Sequence, residues 1–331
     1  METLPTRDDV TAAVDALRDV AVETPLVRVR SLEERIGAAS VYVKLETMQR
    51  TGSFKFRGAY WRCLHLSAEE RKRGVVAYSS GNFAQGLAAA AQLLQVPCTI
   101  VMPHDAPEVK RLKTESSGAV VVQTDHGDRP REEVANEEAR HIATREGRVL
   151  LHPFDDPALV TGHASLAIEV LEELNRWGAP APDDLLCCVG RGGLFAGISL
   201  GLRVSGMHTS CIPCEPLGYD SFRQSLRAGK PVRVGGSGAT LCDALQATRP
   251  GDAPFAIAGG ATLGEPATVD DAAVRDAMRF AHDALKVVLE PSGAVALAAL
   301  RNSRDRFEGR HVVVVLTGGN IEIAAFGRLA A

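Results

Sequence analysis

No stretch of the 331-residue chain approaches the roughly twenty consecutive apolar residues that a membrane-spanning helix needs, and the longest apolar runs stop near ten. The first residues, METLPTRDDV, hold neither a basic leader nor an apolar core. No signal peptide is therefore expected, and the protein is expected to be soluble and cytoplasmic, with no membrane as partner. Charge of one sign is missing too. Lys and Arg number 37 against 41 Asp and Glu, a net charge of -4, which gives no reason to expect nucleic acid as a partner. The run Arg71-Lys72-Arg73 is short, follows two glutamates and reads as a solvated helix face. The seven cysteines are odd in number. Cys211 and Cys214 form a C-x-x-C that Pro213 splits, with no second pair and no histidine at finger spacing. The cysteines are thus expected as reduced core residues rather than metal ligands or disulfides.

What is present is a rhythm of short β-rich runs, glycine or proline turns, and longer helical patterns. With 45% hydrophobic and 24% charged residues, a chain of this length is expected to fold as two lobes. Strands are expected at 41–44, 75–78, 98–102, 119–122, 149–151, 185–189, 209–213 and 312–316. Helices are expected from a Ser53 cap through 62, then at 82–94, 108–115, 131–145, 165–176, 195–204, 270–285 and 291–301. A looser region spans 229–266. The alternation predicts an α/β fold with mainly parallel open sheets flanked by helices. Continuous apolar strands such as Val312-Val313-Val314-Val315-Leu316 suit sheets covered on both faces.

Three loops of unusual composition follow strand carboxyl ends, where ligands bind in such sheets. They are Ser79-Ser80-Gly81-Asn82, Gly190-Arg191-Gly192-Gly193 and Thr317-Gly318-Gly319-Asn320. The second lies between a strand and a helix, where free backbone N–H groups make an anion site. It is not a dinucleotide fingerprint, because the third glycine position is Phe195, and it lacks the Gly-Lys-Ser/Thr of a P-loop. A single phosphate fits better, with a tight turn that binds nothing as the alternative. Lys55, in the first turn of a helix, opposes the helix dipole. Such a site lowers an amine's pKa and favours attack on a carbonyl, although a solvated lysine is also compatible with the position.

Taken together, these segments resemble the serine/threonine dehydratase and serine racemase family, the fold type II (tryptophan synthase β-like) pyridoxal-phosphate (PLP) enzymes. The resemblance runs in order through Thr24-Pro25-Leu26, Lys44-Leu45-Glu46, Thr51-Gly52-Ser53-Phe54-Lys55-Phe56-Arg57-Gly58-Ala59, Ser79-Ser80-Gly81-Asn82-Phe83-Ala84-Gln85-Gly86 and His152-Pro153-Phe154-Asp155-Asp156. It continues through Gly190-Arg191-Gly192-Gly193-Leu194, Glu215-Pro216, Glu290-Pro291-Ser292-Gly293-Ala294 and Thr317-Gly318-Gly319-Asn320. It implies a large PLP-binding domain from 1–67 and 153–331, a small substrate-loop domain from 68–152, and a homodimer.

It also implies roles. Lys55 would carry the cofactor and move the α-proton. Phe54 would lie against the ring and Asn82 contact its phenolic oxygen. Gly190, Arg191, Gly192, Gly193 and Leu194 would cradle the phosphate, Glu290 would line the cofactor site, and Thr317 would meet the pyridine nitrogen. Ser79, Ser80, Gly81, Asn82, Phe83 and Arg131 would surround the substrate, with Ser80 as the second catalytic residue of a racemase. The implied reaction is dehydration of a small β-hydroxy amino acid, such as L-threonine or L-serine, to a 2-oxo acid and ammonia. Alternatives are a serine-type racemase, a dehydratase of a bulkier or modified substrate such as phenylserine or hydroxyaspartate, a β-replacement synthase, and a binding protein that kept the fold.

Three departures bear on these roles. Arg191 stands where the family's loop has glycine, and its side chain is expected to point outward or bridge the lobes. Phe83 stands where histidine is usual, which predicts poorer binding of a second carboxylate. Glu215 matches a ligand of the family's divalent cation, Mg²⁺ or Ca²⁺, but Ser221 replaces the aspartate, with Asp220 beside it. No isoleucine feedback through a C-terminal regulatory domain is expected.

Overall fold

The computed structural model describes residues 4–236, 238–303 and 305–331. Ten strands are laid down in chain order: β1 Leu26–Arg28, β2 Ser40–Leu45, β3 Val75–Tyr78, β4 Cys98–Pro103, β5 Val120–Thr124, β6 Val149–Leu150, β7 Asp184–Cys188, β8 Ser210–Pro216, β9 Ala267–Val269 and β10 His311–Leu316. They form two sheets. The larger has the order β1-β2-β10-β7-β8-β9 and the smaller the order β5-β4-β3-β6. Every pairing is parallel except β1 with β2, as the alternation of strands and helices requires.

Strand β10 shows why its sequence is apolar throughout. Val312, Val314 and Leu316 enter the core on one face of the large sheet, and Val313 and Val315 the core on the other. Helices Asp271–Phe280 and Pro291–Arg301 cover the first face; Pro157–Arg176 and Gly193–Val204 cover the second. The small sheet is likewise sandwiched between Asn82–Leu93 with Lys55–Leu64 and Arg131–Glu146. The carboxyl ends of β3, β7 and β10 carry the three loops singled out in the sequence.

The structure corrects several expectations. The helix after Thr51 begins at Lys55 with Phe54 as its N-cap, and the Ser53 hydroxyl is buried without a partner among the described residues instead of capping it. The expected 165–176 helix starts eight residues earlier. Asp156 accepts hydrogen bonds from the Ala158 and Leu159 N–H groups and Pro157 occupies the first position. Gly162 masked that start, yet its lack of a side chain is what lets this helix press against Arg57 and Trp61. The looser 229–266 region contains a helix, Asp252–Ala258. The 270–285 helix is α-helical only over Asp271–Phe280 and passes into a π turn over Ala281–Leu285. Strand β8 runs on through Pro216 and so includes Glu215. All seven cysteines are buried and free.

Candidate active site

Lys55 opens its helix beneath the ends of β3 and β10. Its amine donates to the Pro153 carbonyl at 3.2 Å and has no carboxylate partner among the described residues. The Phe54 and Phe83 rings lie 5.1 and 5.8 Å from Nζ. Desolvation, opposed by Cys188, lowers the amine's pKa to about 8, so about a fifth of it is neutral near pH 7.4. The segment that aims it is tied to the loop after β10. Phe54 N–H donates to the Thr317 carbonyl at 3.2 Å, Ser53 bridges Gly318, and Gly319 N–H donates to the Gly52 carbonyl. Thr51 holds a left-handed φ of 64°, a conformation a β-branched residue adopts only under such constraint.

Beside Lys55 runs a polar chain. Asn82 Nδ2 donates to Glu290 Oε1 at 2.6 Å, Asn320 Nδ2 donates to Asn82 Oδ1 at 2.9 Å and to the Thr51 carbonyl at 2.7 Å, and Lys113 reaches Asn320 Oδ1 at 3.3 Å. Burial raises the Glu290 carboxyl to about 7. Gly318 must lack a side chain, because a Cβ there would fall on the Glu290 carboxylate. Thr317 is nearly buried, and its hydroxyl lies 3.3 Å from Cys188 Sγ.

The glycine loop joins β7 to Gly193–Val204, with Gly192 at φ 98° as an N-cap that offers no side chain. The N–H groups of Gly190, Gly192, Gly193 and Leu194 have no acceptor among the described residues. They converge at the start of a twelve-residue helix, whose dipole favours an anion. Arg191 turns away from this cradle. Its guanidinium stacks 4.8 Å from the Phe154 ring centroid and pairs with Glu132, at 3.2 Å, on helix Arg131–Glu146.

The Ser79-to-Asn82 loop begins a second such helix. Gly81 N–H donates to Ser79 Oγ, while the N–H groups of Ser80, Asn82 and Phe83 have no acceptor among the described residues. Arg131 donates to Ser80 Oγ at 3.4 Å and pairs with Asp105 at 3.3 Å. Phe83 is buried in the small-lobe core with its ring toward Lys55. The described residues thus offer an amine without a carboxylate partner, two helix N-termini with free N–H groups and a buried hydroxyl.

Comparison with known proteins agrees. The family profile described as "Pyridoxal-phosphate dependent enzyme" matches residues 17–318. The chain belongs to that family. It is 38% identical to an L-threonine ammonia-lyase of Thermotoga maritima, over 98% of this chain and 78% of that protein. It is also 38% identical to an L-threo-3-hydroxyaspartate ammonia-lyase of a Pseudomonas species, over 97% of each. Maize serine racemase superposes with a TM-score of 0.89 at 28% identity, covering 98% of this chain and 97% of that one.

The residues of this PLP enzyme fit the cofactor. The free N–H groups of 190–194 suit its phosphate, the Lys55 amine its aldehyde, and the Phe54 ring an aromatic plane. Glu215, in contrast, is not set out as a cation ligand. Its two oxygens accept the N–H groups of Phe222 and Arg223, each at 2.8 Å, and burial raises its carboxyl to about 8. Among the described residues no group of three or more His, Cys, Asp or Glu side chains could hold a metal ion. At the position where Mg²⁺ or Ca²⁺ was expected, Ser221 brings no charge and Asp220 pairs with Arg223 at 3.7 Å.

Several residues around the site were given no role from the sequence, although Lys44, Glu46 and Arg57 lie in segments that carry the resemblance. Arg57 makes paired bonds to Glu46, Nη2 to Oε1 at 2.8 Å and Nε to Oε2 at 2.9 Å, and meets Glu169 at 2.8 Å; Lys44 meets Glu169 at 2.6 Å. His163 is fully buried, and both its ring nitrogens lack a partner among the described residues; it lies edge-on to Phe54 at 5.0 Å. Burial, together with the Lys55 and Arg57 charges, holds its pKa far below the ordinary value. Asn320 lies in the terminal loop that the resemblance includes, so a signal for it existed. Nothing near Lys113 in the sequence marks it, and Cys188 reads only as a small core residue before the glycine loop.

Proposed function

We propose that the chain is a PLP-dependent ammonia-lyase that dehydrates a small β-hydroxy amino acid, L-threonine or L-serine, to a 2-oxo acid and ammonia. The observation that carries this reading is the half-buried Lys55 amine, which has no carboxylate partner among the described residues and lies 5.1 and 5.8 Å from the Phe54 and Phe83 rings. The cofactor, when bound, supplies an electron sink for the pair released at the substrate Cα. Lys55 Nζ takes the Cα proton. The free N–H groups of Ser80, Asn82 and Phe83, at a helix N-terminus, receive the substrate carboxylate and orient the Cα–H bond toward Lys55. Arg131 steadies Ser80 from outside. Asn82, held from both sides by Glu290 and Asn320, presents its amide at a fixed angle.

The division into a large lobe, 1–67 with 153–331, and a small lobe, 68–152, suits a cleft that closes over substrate, and the small sheet draws only on residues 75–150. Cytoplasmic location and a homodimer complete the reading. Glu215 is assigned the structural task of capping Ser221–Ala228, without a cation.

The test is an absorbance spectrum of purified protein titrated with L-serine, L-threonine, L-threo-phenylserine and L-threo-3-hydroxyaspartate while 2-oxo acid is assayed. A visible cofactor band that Lys55→Ala abolishes, with 2-oxo acid formed from threonine or serine, is the expected outcome. A band without 2-oxo acid from any of the four sinks the ammonia-lyase reading. Racemisation is a second reading, because Ser80 lines the loop facing the substrate, and D-serine formed from L-serine in excess of pyruvate would favour it.

A further inference from the structure

The Thr317 hydroxyl is held from one side only. Strands β7 and β10 are parallel neighbours, with Val314 in register with Leu186, so their carboxyl ends lie side by side. Cys188 ends β7 and Thr317 follows β10. The Thr317 backbone is fixed, because its carbonyl accepts the Phe54 N–H and the next residue bridges Ser53. What remains free is the side-chain torsion, with its three staggered choices. Among the described residues the hydroxyl has one hydrogen-bond partner, Cys188 Sγ at 3.3 Å. Thr317 is 4% exposed and Cys188 7%, so bulk water offers little competition.

We propose that Cys188 is a positioning residue whose thiol fixes the rotamer and proton direction of the Thr317 hydroxyl, so that the hydroxyl meets the pyridine nitrogen of the bound cofactor. This rests on the PLP reading above. A hydroxyl has one proton and two lone pairs. When the thiol donates to Thr317 Oγ1, the hydroxyl proton is left for an unprotonated ring nitrogen. Without the thiol, the hydroxyl can turn its proton to other acceptors and lose that contact. In the sequence Cys188 reads as a small core residue before the glycine loop. Its place beside Thr317 comes from the pairing of two strands about 130 residues apart in sequence.

The experiment is a double-mutant cycle on cofactor affinity, read by titrating the apoprotein with PLP and following the visible band. Cys188→Ala is expected to raise the dissociation constant about fivefold, the size of one ordinary hydrogen bond. Cys188→Ser, which keeps a donor, is expected to return it to within about twofold of wild type. In a Thr317→Ala background, Cys188→Ala is expected to change nothing further. The same penalty with and without the Thr317 hydroxyl would mean that Cys188 acts by packing alone and overturns the proposal. An unchanged constant in the single mutant, or failure of serine to rescue, does the same. Cys188→Val, close in volume and without a donor, replaces the alanine variant in the cycle should that one not fold. A wild-type protein that develops no visible band with PLP would instead sink the cofactor reading itself, whatever the variants do.

Discussion

Lys55 and Arg57 stand two residues apart in one helix, the first half-buried and the second fully buried, and their surroundings treat these two basic groups in opposite ways. Arg57 points into the protein, where burial opposes its charge, but Glu46 and Glu169 outweigh burial and raise its pKa. Lys55 points into the cleft, where only a carbonyl answers it, and burial lowers its pKa to about 8. A buried cation with counter-charges is a permanent fixture of the fold. A buried cation without them gives up its proton readily and becomes a nucleophile. The helix thus anchors itself by one residue and reacts by the other.

Three outcomes would break or sharpen this contrast. The largest concerns stability. Arg57→Met leaves the buried Glu46 carboxylate without a counter-charge and Glu169 with Lys44 alone, and is expected to lower the unfolding free energy of the apoprotein by about 3–5 kcal/mol. Lys55→Ala removes an uncompensated charge and is expected to cost less than about 1 kcal/mol. Chemical denaturation of the two apoproteins checks this, and equal losses would end the distinction. The next effect is kinetic. Attachment of cofactor needs the neutral amine, so the rate of reconstitution with PLP is expected to rise with pH, about tenfold per unit below 8, and to level off above it. Stopped-flow absorbance across pH 6 to 10 reads the profile, and a rate still climbing tenfold per unit at pH 9 would show that burial does not set this amine. The smallest effect belongs to Arg191. Its pair with Glu132 is partly open to water, so Arg191→Ala is expected to change stability by less than about 1 kcal/mol. A large loss of PLP affinity in that variant would place the guanidinium on the phosphate after all.

The same contrast explains what could be read from the sequence. Lys55, the glycine loop and Thr317 were legible because each sits at a helix start or strand end that local pattern announces. Their order along the chain pointed to the family. The two-sheet architecture followed from the alternation of apolar strands with helical periods. Arg57's partners were not legible, because Glu46 and Glu169 come from separate elements and only the folded chain brings them to one guanidinium. His163 was missed for a related reason, since a single histidine within an apolar helix gives no hint of which ring it will touch. Ser53 shows the limit of a local rule. Its type and place suited an N-cap, but the bridge to Gly318 took its backbone and left its hydroxyl without a partner. Glu215 was singled out by resemblance, but its contacts with the Phe222 and Arg223 N–H groups were not legible.

The contacts that aim Lys55 also set a schedule for the newborn protein. Asn320 Nδ2 donates to the Thr51 carbonyl across 269 residues of chain. At about 5–20 residues per second, roughly 13–54 s separate the synthesis of the two. Throughout that interval the reactive lysine exists, but the loop that shapes its cleft does not. A ribosome stalled anywhere before the terminal Gly-Gly-Asn therefore holds a polypeptide in which Lys55 is present but the contacts that aim it from that loop are not.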